Sequence, residues 1–389
     1  MIKAEFFVQL IGSSFFLILN IYLVKQGFSD PEIANFISYR FLAVMLLAFP
    51  LGFYIKGRPL KPFFMLGSLG VPLIAIFLVV AIANKWCQYL PFLFILWGIV
   101  FTLFQVSSLP YIMRNTVTEN QSHAISLNYA TYSFGTILSG IIIFGFGEFM
   151  KEIDEGVILL FISFLGFFGV YYLLKMKVDM VVPFKKGLHW RDYDWGLLLK
   201  AIIPTLIIAV GAGLTIPFIN LFFYHNFEVD SSNFAVIGGI ASVLVAVLAL
   251  LVPNVKNKLG FKKGITYTQT AAVIALVALA TTEFFLNYLW AFPVAVLCFW
   301  IRTPLMNMAA PMTSEFTMNY VGKKNQEMLS AITAAIWSGS WFFSSQIFRY
   351  LIAEGLPYAY IFYITAALYS LGVFIYYLLI RDYEKRSVI

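Results

Sequence analysis

Residues 175–195 read KMKVDMVVPFKKGLHWRDYDW, the longest hydrophilic stretch of the chain. Six apolar runs precede it, at 5–24, 32–54, 63–83, 89–112, 122–147 and 157–175. Six follow, at 197–222, 233–253, 265–284, 288–312, 327–349 and 357–380. Each run is near the ~20 residues that a helix needs to cross ~30 Å of hydrocarbon. A bilayer core offers backbone groups no water, so a crossing segment must satisfy its own N–H and C=O groups as a helix. The expected fold class is therefore an all-α integral membrane protein of twelve transmembrane helices. Its parts are a six-helix half (1–175), a central loop (176–196) and a second six-helix half (197–389).

Composition agrees. Of 389 residues, 61% are apolar and 12% charged, and the mean hydropathy is +0.86; a soluble domain carries about 25% charged residues. The run beginning at Glu5 lacks a small-residue cleavage site and continues to Leu23, so it reads as a retained helix rather than a signal peptide. Two cysteines, Cys87 and Cys298, are too few for a disulfide framework or metal cluster and read as packing residues.

The net charge of +7 sorts by loop. With the N-terminus inside, twenty of the 26 basic residues fall in inner segments, whereas outer segments hold Lys25, Lys85, Lys151 and Arg349. The asymmetry places both termini in the cytoplasm, with the chain multi-pass in the cell membrane (the inner membrane of a cell that has two). The positive charge thus belongs to topology, not to nucleic acid. Trp190 and Trp195 mark the central loop as a candidate for lying on the inner leaflet.

The halves superpose with an offset near 200 residues. Asn20, ahead of Phe28-Ser29-Asp30, answers Asn220, ahead of Phe227-Glu228-Val229-Asp230. Asn120-Gln121 answers Asn325-Gln326, and Tyr132-Ser133 answers Trp337-Ser338. Pro50 with Lys56-Gly57-Arg58 answers Pro253 with Lys258-Leu259-Gly260-Phe261-Lys262-Lys263. Parallel repeats about the membrane normal are a transporter architecture.

In length, six-plus-six layout, basic central loop and two short basic loops, the whole chain resembles the major facilitator superfamily. That family's loop after the second helix reads roughly Gly-x-x-x-Asp-Arg-x-Gly-Arg-Lys. Gly52, Lys56, Gly57, Arg58 and Lys61 keep its glycine and basic character, and Gly260 with its neighbours keeps that of the loop after the eighth helix. The acid is missing from the first loop, and the amide of Asn257 stands in its place in the second. The drug-antiporter ending Gly-Pro-x-x-Gly-Gly is absent from the fifth helix, which has only Gly135 and Gly140 there. The resemblance implies alternating access around a central cavity lined by the first, fourth, seventh and tenth helices, in a monomer without cofactor. Gly52, Gly57, Arg58 and Gly260 would be the gating loops.

Polar and helix-breaking residues gather on those same four helices. The first carries Gln9, Ser13, Ser14, Asn20 and Tyr22, and the fourth carries Gln105, Ser107, Ser108, Pro110 and Tyr111. The seventh carries Pro204, Thr205, Gly211, Gly213, Thr215, Pro217 and Asn220; the tenth carries Trp300, Arg302, Thr303, Pro304, Asn307 and Pro311. An intramembrane charge costs about 2.5–3.5 kcal/mol even on the insertion scale, so Arg302 and Arg40 stand out. Glu5, Glu283 and Glu315 all lie near helix ends. The candidate substrate residues are therefore Arg302, Arg40, Asn307, Asn20, Asn220, Gln105 and Trp300. A guanidinium grips carboxylate or phosphate bidentately, which would suit an anionic solute; alternatively the arginines hold helices together. His225 reads as a rim residue.

The function expected is secondary transport of a small organic solute, anionic or amphiphilic. An alternative is proton-coupled export of drugs or lipid-like amphiphiles. A membrane enzyme would need converging carboxylates, histidines or a metal site, and a primary pump a nucleotide-binding motif; neither pattern is present. A receptor-like scaffold is the remaining class.

Overall fold

The computed structural model describes residues 1–55, 58–116, 118–150, 152–176, 193–322 and 325–386. Gly57, the paired lysines 323–324 and most of the central loop, including His189 and Trp190, lie outside the described residues. Regular structure among the described residues is helical: α1 (Ile2–Lys25), α2 (Asp30–Tyr54), α3 (Lys61–Ala83), α4 (Leu90–Asn115), α5 (Thr118–Phe149), α6 (Glu155–Gly166), α7 (Phe168–Leu174), α8 (Trp195–Thr215), α9 (Ile219–Phe227), α10 (Ser231–Thr281), α11 (Ala291–Val321), α12 (Gln326–Ala353) and α13 (Tyr358–Arg386).

The helix boundaries follow local chemistry. Pro62 and Pro91 occupy first-turn positions of α3 and α4, where a missing N–H costs nothing. The Asp194 side chain caps α8 by accepting from the Leu197 N–H at 3.1 Å. A break at Phe167 separates α6 from α7, and a 3₁₀ turn containing Pro217 separates α8 from α9.

Ten segments among the described residues are long and apolar enough to cross a membrane. One of them runs from Ser231 to Phe285, 55 residues, and at ~1.5 Å per residue is far longer than one crossing. The sequence predicts two helices here with a loop between them. In the structure the intervening residues stay helical, and the chain breaks at Gly260, with φ 66° and ψ 179°. No atom lies within 4 Å of where a Cβ would stand, so glycine is needed for its backbone conformation and not for space.

Contacts divide the chain into two compact units. One is Met1–Lys186 with Phe223–Gly239, and the other is Gly187–Phe222 with Ile240–Ile389. Inside the first, α1 packs on α5 and on α6 with α7, while α4 packs on α2 and α3. Inside the second, α8 packs on α12 and α13. The opening helix of each half thus packs against the last two helices of the same half. Burial inverts accordingly: α1 is buried along nearly its whole length from Ala4 to Leu23, as a helix apolar on all sides should be. Leu250, Ile274 and Phe343 are exposed apolar side chains of the kind that face lipid.

Candidate functional site

A cavity of ≈ 200 Å³ lies inside the first unit, lined by Glu5 and Gln9 from α1, Gln105, Ser108 and Leu109 from α4, and Asn128 and Tyr132 from α5. The spacing explains the convergence. Glu5 and Gln9 are four residues apart, as are Asn128 and Tyr132, and Gln105, Ser108 and Leu109 follow the i, i+3, i+4 rule, so each set shares one helix face. Further along the same faces, Ser13 bonds Thr136 at 2.9 Å and Ser139 Oγ donates to the Leu10 carbonyl at 2.9 Å. These bonds fix the register of α1 on α5 and hold the lining residues together.

Glu5 is the acidic group of this cavity and is 3% exposed. Gln9, Ser108 and Asn128 are the polar neighbours of its carboxyl group. Even so, Glu5 Oε2 has no hydrogen-bond partner, and neither does the buried Asn128 Oδ1. The Met1 α-amino group is a charged neighbour, pushed below its ordinary pKa by burial. Sequence reasoning passed over Glu5 because it lies near a helix end. The available signal was the stripe Glu5, Gln9, Ser13 at intervals of four. Asn128 and Tyr132 sit on α5, a helix the expected cavity set omitted.

Arg40 on α2 is half-buried, with its guanidinium carbon 4.3 Å from the Trp97 ring centroid and 5.1 Å from that of Phe101. Tyr132 is its electrostatic neighbour. At this depth aromatic faces replace water as the partner of the cation. Gly98 of α4 makes room for the α2 backbone here, since a Cβ would come within 2.4 Å of the Arg40 carbonyl oxygen.

Arg302 has a different setting in the second unit. It is 3% exposed, and Nη2 donates to the Tyr369 hydroxyl on α13 at 3.1 Å. Arg302 Nε and the neighbouring Thr303 hydroxyl have no partner. No acidic side chain among the described residues pairs with Arg302 or Arg40. Asn307 is exposed and donates to the Thr303 carbonyl of its own helix at 2.9 Å, without a hydrogen bond to Arg302; Trp300 is half-buried. Asn20 and Asn220 are both buried, and Asn220 Oδ1 accepts from the Leu221 N–H at 2.9 Å. Gln105 lines the cavity of the first unit.

The motif loops are tied within their own units. Arg114, at the end of α4, donates to the carbonyls of Ile55 and Arg58 at 3.1 and 2.8 Å. Arg58 donates to the Tyr54 hydroxyl and stacks on its ring. At Gly52 a Cβ would stand in open space. Near Gly260, Lys256 pairs with Glu315 and Lys262 with Glu384. In the first unit, Lys25 and Ser231 both bond Glu155, and His225 bonds Asp30 at 3.0 Å.

Comparison with known proteins places this arrangement. A family model described as Major Facilitator Superfamily matches residues 4–345. No curated protein matches the chain. Among solved structures, a bacterial homologue of the iron transporter ferroportin in its inward-facing state aligns with a TM-score of 0.73 at 12% identity, covering 97% of each chain. The outward-facing state of a bacterial homologue of that transporter aligns at 0.66 and 10% identity, covering 97% of this chain and 98% of the other. The nucleoside transporter NupG aligns at 0.72 and 12% identity, covering 97% of this chain and 98% of the other. The two ferroportin-like structures show this fold in both states of alternating access. At such identities the likeness concerns the fold.

Proposed function

The chain belongs to the major facilitator superfamily, and on that premise we propose that it is a secondary transporter carrying one small organic solute by alternating access, with a binding site at the Glu5 cavity. It is a transporter and not an enzyme. The observation that supports this site is a void of ≈ 200 Å³ lined by six polar or titratable side chains from three helices. That is below the ~300–1,000 Å³ of pockets for drug-sized ligands, which favours a small solute over a bulky amphiphile.

Counting Ser231–Phe285 as two crossings and adding the 28-residue helix Gln326–Ala353 to the ten supports a count of twelve. Charge asymmetry between loops supports cytoplasmic termini. A cysteine introduced by Lys258→Cys, with Cys87 and Cys298 replaced, should resist an impermeant thiol reagent in intact cells; labelling from outside overturns the orientation. An anionic solute at Arg302 has less support than a solute at Glu5, because the Tyr369 hydroxyl already accepts from the Arg302 guanidinium.

Counterflow in proteoliposomes tests transport. The expected result is exchange of at least one small polar metabolite, slowed several-fold by Gln105→Ala. Absence of exchange for every member of a panel of amines, sugars, nucleosides and carboxylates, with folded protein in the membrane, overturns the reading.

A further inference from the structure

We infer that the Glu5 cavity is a subsite for a primary ammonium group, which donates hydrogen bonds to the Glu5 carboxylate, the Asn128 amide oxygen and the Ser108 hydroxyl oxygen. The inference rests on the transporter reading and names the substrate class of that site.

Its basis is the balance of donors and acceptors around the void. Glu5 is buried at 3% exposure, and an ionised carboxylate can only accept. Its Oε2 and the Asn128 Oδ1 are both buried without a partner. Each orphaned buried acceptor costs about 1–3 kcal/mol, so two of them on residues that line one void mark a place for donors. The Ser108 hydroxyl gives its proton to the Phe104 carbonyl at 3.1 Å, which leaves only lone pairs for the cavity. An –NH₃⁺ group has three donors and no acceptor, matching the Glu5, Asn128 and Ser108 oxygens, with the Glu5 carboxyl ionised when the cation binds and the amide oxygens of Gln9 and Gln105 as further acceptors in the lining. A hydroxyl offers one donor and no charge, and a carboxylate would be repelled. Leu109 and Tyr132 complete the lining, giving carbon surface to the alkyl part of the ligand. Of the nearby cations, Met1 forms no ion pair with Glu5 among the described residues and burial holds its amine below the ordinary value, while Arg40, the electrostatic neighbour of Tyr132, lies over the Trp97 and Phe101 rings.

The test uses the full chain with a C-terminal tag, and n-butylammonium, tetramethylammonium, 1-butanol and butyrate as probes in calorimetric titration. Butylammonium is expected to bind about ten-fold or more tightly than the quaternary cation and the alcohol, with no saturable butyrate binding. Glu5→Gln should weaken it about ten-fold or more, and Asn128→Ala several-fold. Should Glu5→Gln fail to fold, Glu5→Asp, which keeps the charge, should retain part of the binding, and the wild-type probe order decides by itself. Equal or tighter binding of butyrate or butanol overturns the inference, as does unchanged affinity in folded Glu5→Gln, or Glu5-dependent proton uptake without amine binding. Counterflow separates the two readings. If other solutes exchange while butylammonium neither binds nor competes, transport stands and the ammonium subsite falls. If butylammonium binds through Glu5 and nothing exchanges, the subsite stands and transport falls.

Discussion

Glu5 in the first unit and Arg302 in the second are each 3% exposed, yet their surroundings differ in kind. The Arg302 guanidinium lies against Tyr369 and donates to it. Glu5 borders a void and leaves an oxygen without any partner. Burial alone therefore does not separate the two proposed roles, a charge that holds helices together and one that binds a ligand. What marks Glu5 is the void it lines, since each group leaves one buried polar atom without a partner, Oε2 of Glu5 and Nε of Arg302.

The sharpest way to break this contrast is to neutralise each charge and read transport and stability separately. Glu5→Gln should lower counterflow about ten-fold or more. Its melting temperature should change little, because a buried carboxyl group is replaced by an amide of nearly the same shape. Arg302→Gln should behave in the opposite way, with transport per folded molecule within about two-fold but stability lower by about 1.5–3 kcal/mol, the usual worth of a hydrogen bond to a charged group. Tyr369→Phe and the double variant complete a cycle, in which a coupling near zero would show that the Arg302–Tyr369 bond contributes nothing. If Arg302→Gln abolishes exchange in a fully stable protein, the contrast collapses.

A smaller effect is expected at Gly98, where a methyl group would meet the Arg40 carbonyl oxygen at 2.4 Å. Gly98→Ala should cost about 1–3 kcal/mol by overpacking, seen as a lower thermal midpoint in detergent. An unchanged midpoint would mean that α2 and α4 separate freely at this level.

The smallest effect belongs to Asp154, an exposed carboxylate ahead of α6. Partial desolvation, then the adjacent Glu155, hold its pKa above the ordinary value. In the window between the ordinary and raised pKa the folded chain binds more protons than the unfolded chain, so this group makes stability rise as pH falls. Asp154→Asn should flatten that slope slightly in thermal melts taken across the acid range. A steeper slope in the variant would reverse the assignment.

Most of the fold was legible in the sequence because crossing a bilayer imposes a local rule: each segment of about 20 apolar residues must close its own hydrogen bonds. Gly260 was legible as a loop glycine, whereas the helical residues on either side of it were not, since basic side chains there read as loop. The site was legible in part. Gln105 was among the candidates and lines the cavity, and Gln9 and Ser108 stood among the polar residues of their helices. Glu5 is not among the candidate substrate residues because it lies near a helix end, although its spacing from Gln9 and Ser13 places it on their stripe.

The sequence by itself determined which residues are apolar enough to span, the depth of Arg40 and Arg302 within their runs, and the polar stripe along α1. Only the tertiary structure decided what each stripe faces. The Ser13–Thr136 and Ser139–Leu10 bonds turn that stripe toward Asn128 and Tyr132, and the packing of α11 and α13 brings Tyr369, 67 residues away in sequence, onto Arg302. Helical periodicity specifies which side chains share a face, but the rotation of each helix about its own axis is set by the neighbours it packs against.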